Sequence, residues 1–403
     1  MDLNKHVLSF FGPSTMLMLL AGCSIENMSS EADDMDGPPQ IVALDEGSVN
    51  ATRALNSQLQ SFSLYVVDEY YDEDGAIAED DLLSKVDESW VSEDPFYLSI
   101  ESQNAYGVAP STRLEGVEEV DINYDTQTFD YTVPQTNQSA LKIASRLNFT
   151  RKSVGNKLML TFRDALFSLN IQAVNEIKDV KIFIKEIKLH NVLSKGTFTF
   201  NKKKDSRGDW EPIDESYVSY EQTKADAVEL SRTVYRNAVD SAFTLLPQDL
   251  DPWYPDDIYD EDEGGESFTV AKANKRLYIE VKCQITQEKD GQTLYLWGYA
   301  PGNEEGKPEY ESVYFPYDEE ACLSDWLMGV NSVYFLEFNT LTGGYAENGE
   351  HITPHPTGGK GSSAFENAEP VKYKIGTGDE GNVDSWTTPD SSEDITIEMD
   401  GKN

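Results

Sequence analysis

The feature of this sequence that most restricts its fold is the alternation of apolar and polar residues. It is clearest in the stretch DVKIFIKEIKL, where Val180, Ile182 and Ile184 occupy every second position. The pattern then slips by one residue and resumes with Ile187 and Leu189. A period of two is that of a β-strand, and a slip of phase is what a β-bulge or a bend produces. We therefore expect a strand here that is interrupted by one irregularity.

The same alternation recurs along the chain. The stretch SFSLYVVDEYY places Phe62, Leu64 and Val66 on one face of a strand. Tyr65 and Val67 fall on the opposite face. Many short strands of this kind, separated by turn-rich pieces, favour β-sandwiches over a parallel sheet with helices.

We therefore predict an all-β protein. The chain has 403 residues, which is enough for two or three domains of ordinary size. We divide it into a β-domain over residues 54–215 and a second one over residues 216–403. Residues 225–239 are the best helical candidate, although their apolar face is poorly defined.

The charge of the chain is strongly negative. It has 73 acidic and 32 basic residues, which give a formal net charge of −41. A field of this sign repels phosphate backbones and anionic lipids, so we expect no binding of nucleic acid. The same charge suits a protein that must stay soluble at high local density.

The first 22 residues have the pattern of a secretory signal. An apolar stretch ends in Leu20-Ala21-Gly22-Cys23, which follows the pattern of a bacterial lipobox. Small residues before the cysteine let a peptidase approach the backbone, and the Cys23 thiol is then the site of lipid attachment. Several acyl chains would hold the protein firmly at a bilayer. The alternative is an ordinary secretory signal that contains a cysteine.

Residues 23–53 are expected to be a lipid anchor followed by an acidic tether. After Cys23 this segment contains seven acidic residues and one basic residue, with little hydrophobic period. The basic residue is Arg53, and an arginine in an exposed linker is a ready site for a trypsin-like protease. The alternative is that Arg53 is a plain linker residue.

The sequence offers little for catalysis or metal binding. It has four histidines and no nucleophile motif. His351 and His355 have metal-ligand spacing, but Pro354 between them rules out a regular helix. The acidic residues 260–266 lack the oxygen ligands and the closing glutamate of a calcium loop, and we interpret the RGD tripeptide at residues 207–209 as a coincidence. We predict no catalytic site, no metal and no cofactor.

Two further groups of residues leave alternatives open. Cys283 and Cys322 either form a disulfide outside the cell or are two unpaired, buried thiols. Four aromatic residues either stack on sugars or pack in a β-core; they are Trp253, Tyr254, Trp297 and Tyr299.

Taken together, these patterns resemble the fimbrillin family, the type V pilus subunits of Bacteroides-like anaerobic Gram-negative bacteria. The resemblance covers most of the chain. It rests on the lipobox at residues 20–23 and on the stretches FSLYVVDEYY, KLMLTFRDALFSLNIQAV, VKIFIKEIKLHNVLSKGTFTF and SDWLMGVNSVYFLEFN. The most specific part is the strand with Leu160 and Phe162, followed by Ala165 and Leu169. Many members have a histidine at the position of Arg163 or Asp164, so this chain departs from the pattern there.

The resemblance implies a lipidated precursor at the outer membrane surface with two tandem transthyretin-like β-sandwich domains. In the family, an arginine-specific protease removes the amino-terminal strand, and a strand from a neighbouring subunit fills the groove. The resemblance assigns the cut to the Arg53-Ala54 bond. It assigns the donor to the C-terminal region, where Ile395, Ile397 and Met399 alternate with polar residues.

The sequence thus leads to two hypotheses. The first is a non-enzymatic structural or tip subunit of a cell-surface fimbria that polymerises with other fimbrial subunits. It would serve adhesion, to host or bacterial surfaces, and biofilm formation. The alternative is a monomeric, surface-exposed lipoprotein that binds glycans through aromatic side chains. Whether a fimbrial subunit of this kind forms the shaft, the anchor or the tip is left open by the sequence.

Overall fold

The structure, a computed structural model, describes ten stretches of the chain. They are residues 37–45, 59–68, 76–86, 89–112, 120–200, 208–250, 275–303, 306–316, 325–338 and 372–375. All of these stretches except Gly37 belong to one compact unit, which begins at Pro38. In the described parts of the chain, no helix has both the length and the apolar character needed to cross a bilayer.

The described residues form 22 strands and one short helix. The strands of the first half are β1 (Gln40–Asp45), β2 (Ser61–Asp68), β3 (Ala76–Val86), β4 (Ser89–Ser92), β5 (Gln103–Ala109), β6 (Thr128–Thr132), β7 (Lys142–Phe149), β8 (Lys157–Asp164), β9 (Phe167–Asn175), β10 (Lys181–Leu193) and β11 (Lys195–Thr199). They continue with β12 (Asp209–Pro212), β13 (Tyr217–Glu229), β14 (Arg236–Asn237), β15 (Phe243–Leu245), β16 (Gln248–Asp249), β17 (Tyr278–Lys289), β18 (Gln292–Trp297), β19 (Glu311–Pro316), β20 (Asp325–Trp326), β21 (Asn331–Phe338) and β22 (Lys372–Ile375). The helix α1 is Arg151–Val154, between β7 and β8. The prediction of an all-β protein with sandwich-like packing of several sheets is confirmed.

The first sheet has seven strands in the order β1-β8-β7-β5-β2-β3-β4. Its two edge strands, β1 and β4, approach each other to 8 Å or less between Cα atoms, so the sheet curls back on itself. The side chains on its inner face, together with three from segments outside the strands, form a separate hydrophobic cluster, which we call the barrel core. It consists of Ile41, Leu59, Phe62, Leu64, Val66, Ala78, Leu83, Phe96, Leu98, Ala105, Ala109, Ala144, Phe149, Leu158, Leu160 and Phe162.

A second and larger cluster, the main core, lies between the remaining sheets and the outer face of the first sheet. It contains most of the buried apolar side chains of β6, β9, β10, β11, β17, β19 and β21. Strand β2 contributes to both clusters, because Phe62, Leu64 and Val66 face the barrel core while Tyr65 and Val67 face the main core. The two faces predicted from SFSLYVVDEYY are therefore confirmed.

Strand β10 has the irregularity that its sequence pattern predicts. Its pairing with β13 and its pairing with β17 both shift register between Ile184 and Glu186. Ile182 and Ile184 before the shift and Ile187 and Leu189 after it are fully buried. The bulge returns the apolar side chains to the main core after the slip of one residue.

The helix predicted for residues 225–239 is wrong. Strand β13 extends through Glu229 and pairs with β10, where Val228 lies opposite Ile184. After a bend, β14 pairs with β9. The segment has no continuous apolar helical face to bury, and pairing along the edge of β10 opposite β17 satisfies the backbone groups of β13 instead.

Strands from both sides of residue 215 belong to the same sheets. Strand β10 pairs with β17, and β9 pairs with β21 in parallel. The seven-stranded sheet contains β1–β5, β7 and β8, whereas β6 and the strands from β9 onward belong to the other sheets. The division into residues 54–215 and 216–403 stays a prediction.

Candidate functional site: the edge strand β1

The strand β1 is the edge of the first sheet, and it is added in parallel to β8. The register runs from Gln40 opposite Lys157 to Asp45 opposite Phe162. At its start, the backbone N–H of Gln40 donates to the carbonyl of Asn156 at 2.9 Å. The Asn156 side-chain amide donates in turn to the carbonyl of Pro38 at 3.2 Å. These bonds anchor the beginning of the strand to the turn before β8.

Alternate side chains of β1 point to opposite sides of the sheet. Ile41 is buried in the barrel core, and Ala43 packs against that core from its edge. Leu44 lies on the outer side and is 41% exposed. Beneath β1, the inward side chains of β8 are Leu158, Leu160 and Phe162, all fully buried. The strand therefore closes the gap between β8 and β4 over the barrel core.

The far end of β1 carries a buried ion pair. The Lys142 ammonium, at the start of β7, donates to Asp45 Oδ1 at 3.2 Å and to Asp164 Oδ1 at 2.8 Å. The side chains of Lys142 and Asp45 are only 8% and 6% exposed, whereas that of Asp164 is 41% exposed. Burial alone would lower the pKa of Lys142, but the two carboxylates outweigh it, and the pKa lies above its ordinary value.

Loss of β1 would leave two unsatisfied features on this side of the sheet. The outer edge of β8 would have unpaired backbone N–H and C=O groups, and the barrel core would be open beside Leu158 and Leu160. An added strand with alternating apolar side chains satisfies both features at once. Strand β1 thus covers both the edge of β8 and this side of the barrel core.

Strand β1 lies inside the segment 23–53, where the pattern of residues indicated a tether. The pattern contains no strand signal because only Ile41 and Ala43 face the core, which is too few to establish a period. The resemblance, by contrast, implies a strand before the cut. The predicted Arg53-Ala54 bond follows β1 in the sequence and lies outside the described residues, as do Cys23 and the predicted donor residues Ile395, Ile397 and Met399.

The other residues singled out by the sequence are only partly described. Cys283 is buried and free, and burial raises the pKa of its thiol. Trp297 is half-buried and packs against the main core, while the Lys307 ammonium lies 4.9 Å from the centre of the Tyr299 ring. Both aromatic side chains are therefore partly engaged by contacts within the chain. Outside the described residues lie Trp253, Tyr254, Cys322, Arg207, His351, His355 and residues 260–266.

The structure also brings together a polar row that the sequence analysis missed. His190 Nε2 lies 2.7 Å from Glu280 Oε2, and Ser219 Oγ lies 3.1 Å from His190 Nδ1. Ser312 donates to the other oxygen of Glu280, and the Tyr278 ring stacks on the imidazole at 4.5 Å. These residues belong to neighbouring strands and are up to 122 positions apart in sequence, so only strand pairing reveals them. We interpret the row as a cross-link between β13, β10, β17 and β19.

The row predicts a pH dependence of stability. The hydrogen bond from His190, helped by Ser312 and opposed by burial, lowers the pKa of Glu280 from 4.5 to about 2. The folded state therefore gains stability that is fully present above pH 4.5 and is lost as the pH falls towards 2. We expect Glu280→Gln to lower the free energy of unfolding at neutral pH by about 1–3 kcal/mol. The deficit should shrink on acidification, as measured by urea denaturation.

Glu288→Gln is the matched control, because Glu288 lies on the same strand and is exposed. It removes the same charge, so it should change stability by less than about 0.5 kcal/mol at any pH. If the loss of unfolding free energy caused by Glu280→Gln stayed constant down to pH 2, it would contradict the lowered pKa of Glu280.

The fold and the site thus define a class: an all-β protein of several packed sheets, whose first described strand is a parallel edge strand. No protein-family model and no curated protein matches the sequence. The structure is similar to that of a fimbrial protein from Bacteroides vulgatus, with 13% identity, a TM-score of 0.49 and coverage of 84% of this chain and 98% of that chain. It is also similar to putative cell adhesion proteins from Parabacteroides distasonis (9% identity, TM-score 0.43, coverage of 84% and 97%) and Bacteroides eggerthii (12%, 0.41, 84% and 92%).

These neighbours are named as fimbrial or cell adhesion proteins of Bacteroidales, the kinds of protein that the sequence resemblance indicates. Identities of 9–13% and TM-scores below 0.5 leave the function to be argued from the residues of this chain.

Proposed function

We propose that this protein is a structural or tip subunit of a cell-surface fimbria, is not an enzyme, and serves adhesion and biofilm formation. In this proposal it reaches the outer membrane as a lipoprotein through Cys23. Proteolysis at Arg53-Ala54 then allows β1 to be replaced by a strand from another subunit. The observation that carries the proposal is the position of β1: it is a six-residue edge strand, parallel to β8, on the amino-terminal side of Arg53.

The physical role of the cut follows from effective concentration. While residues 46–58 join β1 to the rest of the chain, β1 competes for the edge of β8 as an intramolecular strand, at an effective concentration on the order of millimolar. A strand from another subunit at lower concentration cannot displace it. After the cut, β1 is a separate segment, held by its ladder with β8, by Ile41 in the barrel core and by Asp45 on Lys142. Replacement then becomes a competition between two intermolecular strands.

The cut also separates the lipid from the body of the protein. Cys23 and β1 are both on the amino-terminal side of Arg53, so a cleaved subunit would stay at the membrane only through the pairing of β1 with β8. Replacement of β1 would therefore release the subunit from its anchor and add it to a polymer in one event. Insertion that runs from one copy to the next without closing builds a filament.

Arg53→Ala tests the proposal. We expect the wild-type chain, treated with a trypsin-like protease, to give a new amino terminus at Ala54 and then ladders of oligomers. The Arg53→Ala chain should keep residues 23–53 and remain monomeric, because β1 stays covalently attached. Mass spectrometry of the products and native electrophoresis measure the two results.

Arg113→Ala and Arg207→Ala are the matched controls, since both arginines also lie outside the described residues. They should be processed and polymerise as the wild type does. Polymerisation of Arg53→Ala at the wild-type rate would refute maturation at this bond.

The glycan-binding alternative makes the opposite prediction. It requires an intact, monomeric chain with saturable affinity for a polysaccharide. Of the aromatic residues singled out in the sequence, Trp297 packs against the main core and Tyr299 lies beside the Lys307 ammonium, so both rings are partly engaged within the chain. The same protease experiment, followed by a polysaccharide binding assay on the uncut chain, separates the two functions.

A further inference from the structure

We propose that the strand that replaces β1 must carry a carboxylate at the position of Asp45, where it pairs with Lys142. This inference rests on the proposed function and specifies its partner. We call the space that β1 fills beside β8 the groove. The segment that replaces β1 there is an extended strand of another subunit. Three alternate positions of this strand carry an apolar side chain, a small or apolar side chain and an acidic side chain.

The requirement comes from the placement of Lys142 at the end of the groove. Its ammonium is bound by Asp164, which belongs to β8 and remains after the cut, and by Asp45, which leaves with β1. Asp45 is the buried partner, at 6% exposure, whereas Asp164 is 41% exposed. Departure of β1 therefore removes the carboxylate that covers Lys142 on the groove side.

A replacement strand covers Lys142 again and withdraws it from water. An apolar side chain at the position of Asp45 would bury the ammonium against hydrocarbon, with Asp164 as the charged partner that stays with the body. A carboxylate restores a charge-assisted hydrogen bond in that buried place. Lys142 thus favours acidic strands and disfavours apolar ones, which gives the site specificity as well as affinity.

The register with β8 defines the rest of the pattern. Ile41 lies four residues before Asp45 and Ala43 lies two residues before it; both face the barrel core, opposite Leu158 and Leu160. A parallel donor therefore needs apolar residues four and two positions before its carboxylate. Ala43 is partly buried against the barrel core, so a small apolar side chain fits the middle position.

This pattern bears on the donor segment near the C-terminus. With Ile395 and Ile397 inward in a parallel strand, Met399 would meet Lys142. In an antiparallel strand, Ile397 and Ile395 inward bring Glu393 to Lys142. The requirement for a carboxylate therefore distinguishes between the two directions of insertion.

The experiment uses the full chain after cleavage at Arg53-Ala54 and fluorescent peptides that span residues 37–47. One peptide has the native sequence, one carries Asp45→Asn, and the control carries Glu46→Gln, which removes the same charge from the neighbouring position. We expect the Asp45→Asn peptide to bind about ten- to a hundredfold more weakly than the native peptide, measured by fluorescence anisotropy. The Glu46→Gln peptide should bind within about twofold of the native one.

A Lys142→Met chain provides the second arm. On this chain the native peptide should bind no more tightly than the Asp45→Asn peptide, because its carboxylate is buried without the ammonium that paired with it. Circular dichroism checks that the variant is folded. Equal affinity of the two peptides for the wild-type chain overturns the requirement for a carboxylate, whatever the variant does. If the cleaved chain binds none of the peptides and keeps its own β1, the proposed strand replacement itself fails.

Discussion

A chain in which Val42 and Met159 are both replaced by cysteine should be cut after Arg53 and yet fail to polymerise until a reductant is added. The two residues are partners in the parallel ladder between β1 and β8. Neighbouring strands lie about 4.8 Å apart, which is within the range of Cα separations that a disulfide spans. Met159 is 48% exposed and neither residue belongs to the barrel core, so the bond forms without disturbing packing.

The effect is expected to be nearly all-or-none. With the disulfide formed, cleavage no longer makes β1 a separate segment, so a strand from another subunit cannot replace it. Reduction should restore polymerisation to the wild-type rate within the same sample, which excludes misfolding as the cause. The two single-cysteine variants are controls and should polymerise with or without reductant. Polymers that form at the normal rate from the oxidised, cleaved double variant would show that β1 is not the strand that is exchanged.

Replacing Phe162 by alanine is expected to lower the free energy of unfolding by about 3–5 kcal/mol. Phe162 is fully buried at the end of β8, and its ring centre lies 4.9 Å from that of Phe62. The ring also packs on the backbone of β5, where a Cβ added to Gly107 would lie 2.6 Å from its tip. Truncation leaves a cavity between three strands that are held by their ladders and cannot collapse fully.

Urea denaturation of the uncut chain measures this loss. Met159→Ala is the control on the same strand; its side chain points outward, and the change should cost less than about 1 kcal/mol. The contact with Gly107 adds a further test, because Gly107→Ala should be strongly destabilising in the wild type and much less so together with Phe162→Ala. Additive effects of the two changes would mean that the ring does not fill the space beside Gly107.

The local geometry of several strands could be predicted from the sequence because the alternation of side chains is a property of neighbouring residues. In β10, a slip of one position in the apolar pattern identified the bulge between Ile184 and Glu186. In β2, the same reasoning assigned Leu64 and Tyr65 to opposite faces. Each of these predictions depends on fewer than a dozen consecutive residues.

The same reasoning failed where the partner decides the conformation. The sequence of residues 225–239 does not exclude a helix. Val228 lies in a strand because its segment pairs with β10. Strand β1 is too short to show a period, and it is defined by its ladder with β8, more than 100 residues later in the chain. Lys142 shows no sign in the sequence that it binds Asp45, since the two are 97 positions apart.

By itself, the sequence determined that this chain is an all-β protein, where many of its strands lie, and which fimbrial family it resembles. Side-chain period and short motifs are encoded locally, so they can be read without knowing which strands meet. Only the tertiary structure decided that β1 is a parallel edge strand, that it closes the barrel core beside β4, and that it covers Lys142. The physical reason is that backbone ladders and a buried ion pair depend on which distant segments pair, and many pairings are compatible with one alternating pattern.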